Sequence, residues 1–279
     1  MTDTLHHTSF KVYDSARRGS VALEELRGVW QYRDLIFQLV RRDIVTRYKR
    51  SVLGIGWTMI QPLGMMLILT LVFSQLFHQV RNYPIYVLSG LITWTFFSQT
   101  TVASIRQMVW GEPLLHRIYL PRSIFCVAAI GTGLINLVLS FVPLVVIALF
   151  LGTNLHISIV FIPVAMLMLA AFSLGFSLIL STMALSFPDV LEMYQVLLTA
   201  WMYLTPILYP RSIVTSPLAQ AVFQFNPMLY LVEIFREPIY EGRFPDLPTL
   251  TVASLISFGV LAAGWLIFAS QSDRFTYEA

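Results

Sequence analysis

The chain has 279 residues, 57% of them hydrophobic and 12% charged, with a formal net charge of +3. Together with a mean hydropathy of +0.72, this is the composition of a polytopic membrane protein. A single cysteine, Cys126, excludes an internal disulfide framework.

Residues 1–30 are polar and lack the apolar core of a secretory signal peptide. They read as a cytoplasmic arm, with a short helix over 21–30. The pair His6-His7 is too short to indicate a metal site. From 33 to 50 the pattern changes. Leu35, Ile36, Leu39, Val40, Ile44, Val45 and Tyr48 recur at helical spacing, and Arg41, Arg42, Arg47, Lys49 and Arg50 gather towards the end. Anionic headgroups attract such cations by about 1 kcal/mol each. An amphipathic interface helix lying in the membrane plane is expected; the plainer alternative is a positive flank ahead of the first span.

Residues 57–77 follow, 21 residues without a charge, against about 20 needed to cross a bilayer. Further apolar runs cover 85–105, 123–151, 157–187, 193–210 and 247–272. The third is long enough to require tilt or bending, with a kink expected at Pro143. The fold expected is all-α, a polytopic membrane protein of six transmembrane helices. Residues 31–272 form one membrane domain and 273–279 a cytoplasmic tail. Of the 18 Lys and Arg residues, 14 then fall on the side of the termini, which places both termini in the cytoplasm. Residues 212–232 also lack charges. Pro217 and Asn226-Pro227 cut them into pieces too short to cross. A re-entrant helical hairpin over 212–238 is expected, a seventh span being the alternative.

Chemistry is sparse at membrane depth. No Asp, Glu, Lys, Arg or His falls in the middle of a span, where each costs about 2.5–3.5 kcal/mol on insertion scales. That argues against a proton-coupled transporter, a membrane protease and a charge-gated channel. Glu233, Glu237 and Glu241 recur every four residues around Arg236. This pattern fits a solvated helix face better than a catalytic carboxylate pair. No Gly-x-x-x-x-Gly-Lys-Ser/Thr loop is present, so transport powered by ATP requires a separate chain to hold the nucleotide. Between the second and third spans, Pro113 and Pro121 bracket a helix whose Trp110, Leu114, Leu115 and Ile118 form an apolar face, with His116 and Arg117 opposite. Such a face suits a groove on another protein, or else this chain's own interface helix. Tyr194, Trp201, Tyr203, Tyr209, Phe223, Phe225 and Tyr230 concentrate around the fifth span and the hairpin. They either line a conduit for a polymer of stacking sugar rings or belong to the interfacial aromatic belt.

The ordered series Arg33-Asp34-Leu35, Arg42-Asp43-Ile44, Arg47-Tyr48-Lys49-Arg50-Ser51-Val52-Leu53-Gly54, Trp57 and Gln61-Pro62-Leu63 opens the membrane domain. Tyr119-Leu120-Pro121-Arg122, Phe187-Pro188-Asp189-Val190, Leu204-Thr205-Pro206-Ile207 and Phe225-Asn226-Pro227, with Arg236 beyond, continue it. Over residues 31–272 the series resembles the membrane subunit of ABC-2 type exporters of polysaccharides and teichoic acids. Pro188 stands where that family usually carries Arg. The resemblance implies a homodimer of six-span subunits bound to two copies of a separate ABC ATPase, which carries ATP and Mg. No cofactor is expected on this chain, and no nucleic acid among its partners. The resemblance implies that Arg41, Arg42, Arg47, Glu112, Leu114, Leu115, His116, Arg117 and Asp189 meet the ATPase. It also implies an export path between subunits along the first and fifth spans, nominating Trp57, Gln61, Tyr194, Trp201, Tyr203, Phe223 and Phe225. The implied cargo is a lipid-linked cell-surface polysaccharide of O-antigen, capsule or teichoic-acid type, taken from the inner leaflet of the cytoplasmic (inner) membrane. An exporter of a small lipid or drug, and a membrane-embedded enzyme of envelope synthesis, are the alternatives.

Overall fold

A computed structural model describes residues 21–49, 51–109, 121–153 and 156–271. In lipid, backbone groups have no water to bond, so a spanning chain satisfies them internally as helices. No strand occurs among the described residues. Helices α1 (Val21–Gln31) and α2 (Arg33–Tyr48) precede α3 (Gly56–Phe73), α4 (Tyr83–Val109) and α5 (Ser123–Phe150). A 3-10 turn, Ile157–Phe161, leads into α6 (Ile162–Ser186) and then α7 (Val190–Leu204). The short α8 (Pro217–Gln224) and α9 (Pro227–Arg236) come before α10 (Leu247–Gln271). The expected coupling residues Glu112, Leu114, Leu115, His116 and Arg117 lie outside the described residues.

Four helical units are long and apolar enough to cross a membrane: α3, α5, Ile157–Ser186 and α10. The chain is a multi-pass membrane protein. At its centre stands α4, against which α3, α5, α6, α7 and α9 all pack. Its Ile85, Val87, Leu88 and Phe97 are wholly buried. Neighbours shield α4 from lipid, so it can carry Ser, Thr and Gln positions that a lipid-facing helix could not. Pro143 lies inside α5, which runs unbroken from Ser123 to Phe150.

The expected apolar face of α2 is a packed face. Leu39 and Val40 are buried with Ile124, Phe125 and Ala128 of α5, flanked by Leu35, Ile36 and Ile44; Val45 is exposed. The expected helix at the end of the arm is α1, and it is docked. Trp265 Nε1 of α10 donates to Ala22 O at 3.0 Å, and Ser123 Oγ donates to Glu25 Oε2 at 2.7 Å. Helices α6 and α10 meet through glycine. A Cβ on Gly175 would lie 2.5 Å from the Leu261 backbone, and one on Gly264 would meet the Gly175 carbonyl. Small residues let backbones approach where lipid supplies no hydrophobic drive between helices.

Two expectations are corrected. The fifth apolar run, 193–210, is helical from Val190 only to Leu204. Pro206 forces Thr205 into extended backbone (φ −104°, ψ 132°) and ends the helix. Residues 205–208 are buried all the same. The Glu233–Glu237–Glu241 face is not solvated throughout, because Glu237 is only 6% exposed. Arg243 Nη2 donates to its Oε1 at 3.1 Å, and Asp246 N donates to its Oε2 at 3.1 Å. Burial pushes this carboxyl up from its ordinary value, and Arg243 pulls against that shift. The uncharged run 212–232 is cut where the prolines stand, into α8 and α9. Asn226 caps α9, its Oδ1 accepting from Met228 N at 3.0 Å.

Candidate functional site

Three apolar helices each carry a polar stripe on the same inner corner of the bundle. Thr95, Gln99 and Arg106 recur at helical spacing on α4, and Thr132, Asn136 and Ser140 at four-residue spacing on α5. With Thr58 and Gln61 from the first turns of α3, they enclose a cleft of about 650 Å³. Asp43, Arg47 and Tyr48 of α2 wall its mouth, while Ile92, Phe96 and Leu137 give it apolar surface. From Arg106 to Ile92 along α4, the cleft reaches about 20 Å into the bundle. Deep in the cleft, glycine at Gly133 allows α5 to close on Thr100 and Phe96 of α4.

Charge at the mouth is uneven. The Asp43 carboxylate is engaged on both oxygens: Arg42 Nη2 donates to Oδ1 at 3.0 Å, and Gln107 Nε2 donates to Oδ2 at 2.8 Å. Neither Arg47 nor Arg106 has a hydrogen-bond or ion-pair partner among the described residues. Two positive charges therefore remain uncompensated there. Deeper in, Tyr48 Oη donates to Asn136 Oδ1 at 3.4 Å, and Ser140 Oγ donates to Thr58 O at 3.1 Å. The Gln61 and Gln99 side chains are exposed and unpaired among the described residues. Open amides at this depth require water or a polar ligand. Among the described residues, no three of His, Cys, Asp and Glu are grouped to hold a metal ion.

The seven aromatic and amide candidates for the path do not share one lining within the chain. Trp57 and Gln61 face the cleft. Tyr194 is buried, its hydroxyl 2.7 Å from Thr101 Oγ1. Trp201 packs among Trp94, Phe97 and Phe176, with ring centroids 6.1, 5.3 and 5.6 Å away. Phe223 is buried, whereas Tyr203 and Phe225 are exposed. Of the coupling candidates, Arg41 and Arg47 are exposed and Arg42 half-buried. Asp189 is exposed and precedes the first residue of α7.

Sequence reasoning passed over Gln99 and Asn136, and it left Arg236 outside the candidate set. Arg236 is 5% exposed, with its guanidinium carbon 3.7 Å from the Tyr86 ring centroid. Its Nη1 donates to Pro206 O at 3.1 Å and its Nη2 to Ile207 O at 3.4 Å. Tyr83 Oη donates to Leu208 O at 2.8 Å, and Asn226 Nδ2 to Leu204 O at 3.1 Å. Trp201 Nε1 donates to Asn226 Oδ1 at 2.8 Å. Side chains thus supply the partners that the irregular segment after α7 lacks.

Comparison with known proteins places this geometry. The model of the ABC-2 type transporter family matches residues 34–240. Over 252 residues the chain is 31% identical to the O-antigen export system permease protein RfbA of Myxococcus xanthus, covering 90% of this chain and 97% of that one. It is 24% identical to an O-antigen export system permease protein RfbA of Klebsiella pneumoniae, over 87% of this chain and 93% of that one. The polysialic acid transport protein KpsM of Escherichia coli is 22% identical, over 84% and 92%.

Proposed function

Because this chain belongs to the ABC-2 type transporter family, we propose that it is the membrane permease of an ATP-driven exporter for a lipid-linked cell-surface polysaccharide. O-antigen, capsule and teichoic-acid glycans are the class of cargo. The match to an O-antigen export permease over 97% of that chain carries the reading. A permease of this family is a transport component rather than an enzyme, and it associates with an ABC ATPase.

On this reading the subunit has six spans: α3, α4, α5, Ile157–Ser186, α7 and α10. At 27 residues, α4 runs about 40 Å. At 15 residues, α7 runs only about 22 Å, and the buried segment beyond it completes the crossing. Irregular backbone is tolerated at that depth where protein covers it. Helices α8 and α9 form a re-entrant pair on the outer side. The excess of Lys and Arg keeps both termini, the arm 1–30 and the tail 273–279 in the cytoplasm, with the domain 31–272 in the inner membrane.

Two copies pair as a homodimer, and two ATPase copies bind ATP and Mg. Arg41, Arg42, Arg47, Asp189 and the segment 112–117 face the ATPase. The path follows α3 and α7, past Trp57, Gln61, Tyr203 and Phe225, with Tyr194, Trp201 and Phe223 packed behind it. Reconstitution tests the proposal. Vesicles holding both chains are expected to move lipid-linked glycan only when ATP is present; transport by this chain alone overturns it. Replacing Leu114 and Leu115 by Asp is expected to leave the permease inserted and dimeric, with ATP hydrolysis continuing and export stopped.

A further inference from the structure

We propose that the cleft between α2, α3, α4 and α5 binds the phosphate-bearing head of an amphiphile. Arg47 and Arg106 hold the phosphate at the mouth, and the amides of Gln61 and Gln99 receive hydroxyl groups behind it. The inference rests on the export reading above and names the chemical part of the cargo that this chain takes hold of.

Three observations converge on that ligand. The first is charge. Asp43 is neutralised by Arg42 at 3.0 Å, so the mouth keeps the charges of Arg47 and Arg106, which come from two different helices and have no partner among the described residues. Paired guanidinium groups present planar forks that match phosphate oxygens. The second is polarity at depth. Gln61 and Gln99 leave amide groups open inside a helical bundle, where an unsatisfied amide is costly. A ligand bearing hydroxyl groups, with water around it, satisfies both. The third is the apolar share of the wall: Ile92, Phe96, Val102 and Leu137 line the same space.

Each alternative ligand fails one of these observations. A neutral lipid leaves the two cations without a counter-charge. A soluble anion has no use for an apolar wall reaching about 20 Å inward. An amphiphile with a phosphate or diphosphate head uses all three. A cleft of about 650 Å³ holds a head and one attached sugar but not a polymer, so the rest of a glycan chain stays outside it.

The test measures binding to the full-length protein in detergent by native mass spectrometry, without nucleotide. The probes are farnesyl diphosphate, farnesol and inorganic pyrophosphate. Farnesyl diphosphate is expected to bind, and Arg47→Gln and Arg106→Gln are each expected to weaken it about tenfold. Lys49→Gln, a neighbouring cation off the cleft wall, is expected to change nothing. Farnesol is expected to bind much more weakly. Pyrophosphate binding as tightly as the prenyl diphosphate overturns the assignment to an amphiphile, and indifference to both arginines overturns the site. Melting temperature reports whether each variant is folded. Should an arginine variant fail to fold, Gln99→Leu probes the same cleft, and unchanged affinity there overturns the proposal too. The two readings fail separately. ATP-driven export together with arginine-independent binding removes the cleft and spares the exporter. Arginine-dependent binding without ATP-driven export does the reverse.

Discussion

Arg236 holds together a part of the chain that has no regular structure of its own. Its two terminal nitrogens bond the carbonyls of Pro206 and Ile207, and Tyr86 lies under its charge. A guanidinium stays charged when buried, so the surroundings must supply acceptors, and a bent backbone with spare carbonyls does so. Arg236→Met is expected to lower stability by about 1.5–3 kcal/mol for each charge-assisted bond lost, read as thermal unfolding in detergent. Arg236→Lys is not expected to rescue it, because one ammonium cannot bridge two carbonyls and cover the ring. Gly90→Ala acts in the same direction, since a Cβ there would lie 2.7 Å from Arg236 Nη2. Trp201 belongs to the same assembly through Asn226. Trp201→Phe is expected to cost about 1 kcal/mol for the lost hydrogen bond, and Trp201→Ala about 3–5 kcal/mol for the emptied aromatic cluster. Export lost by Trp201→Ala at unchanged stability would contradict its packing role.

Among the elements, the α6–α10 pair gives the sharpest test of packing. The Gly175 backbone blocks any Cβ on Gly264, and backbone cannot swing aside as a side chain can. Gly264→Ala is expected to destabilise by about 1–3 kcal/mol, checked by melting in detergent. Leu39→Asp is expected to unseat α2 from α5, stopping export while ATP hydrolysis persists, as assayed in vesicles containing both chains. The positions of α3, α5, α6 and α10 are legible in the sequence because a bilayer demands long apolar runs and satisfied backbones. The cut at Pro217 and Asn226-Pro227 is legible for the same steric reasons. The early end of α7 has its signal in Pro206, but the apolar residues on either side disguise it. The cleft also left a trace, in the four-residue spacing of Thr132, Asn136 and Ser140. Each of these is ordinary alone, and only the meeting of three helices joins them. The burial of Arg236 and Glu237 has no such trace. A charge among spaced glutamates reads as a wet surface until the packing of α9 on α4 is known.

In the whole molecule, the cleft mouth, α2, α1 and the α6–α7 turn gather at one end of the bundle, and the Arg236 segment with α8 and α9 at the other. Much of α3 is bare: Leu67, Ile68 and Leu71 are exposed, beside the amide of Gln61. A second copy of the chain buries that face in the proposed homodimer. Leu71→Cys is therefore expected to give cross-linked dimers in membranes after mild oxidation, with the buried Cys126 silent. A purely monomeric product contradicts that placement of the two-fold axis. Helix α2 has a consequence of its own. Asp43, Arg47 and Tyr48 form the lip of the cleft, and the same short cylinder shows Arg41 to the cytosolic side. Whatever tilts it at one contact disturbs the other, and thermodynamic reciprocity makes the two influences equal in size. Farnesyl diphosphate should shift nucleotide affinity in the assembled complex by the same factor by which nucleotide shifts its own.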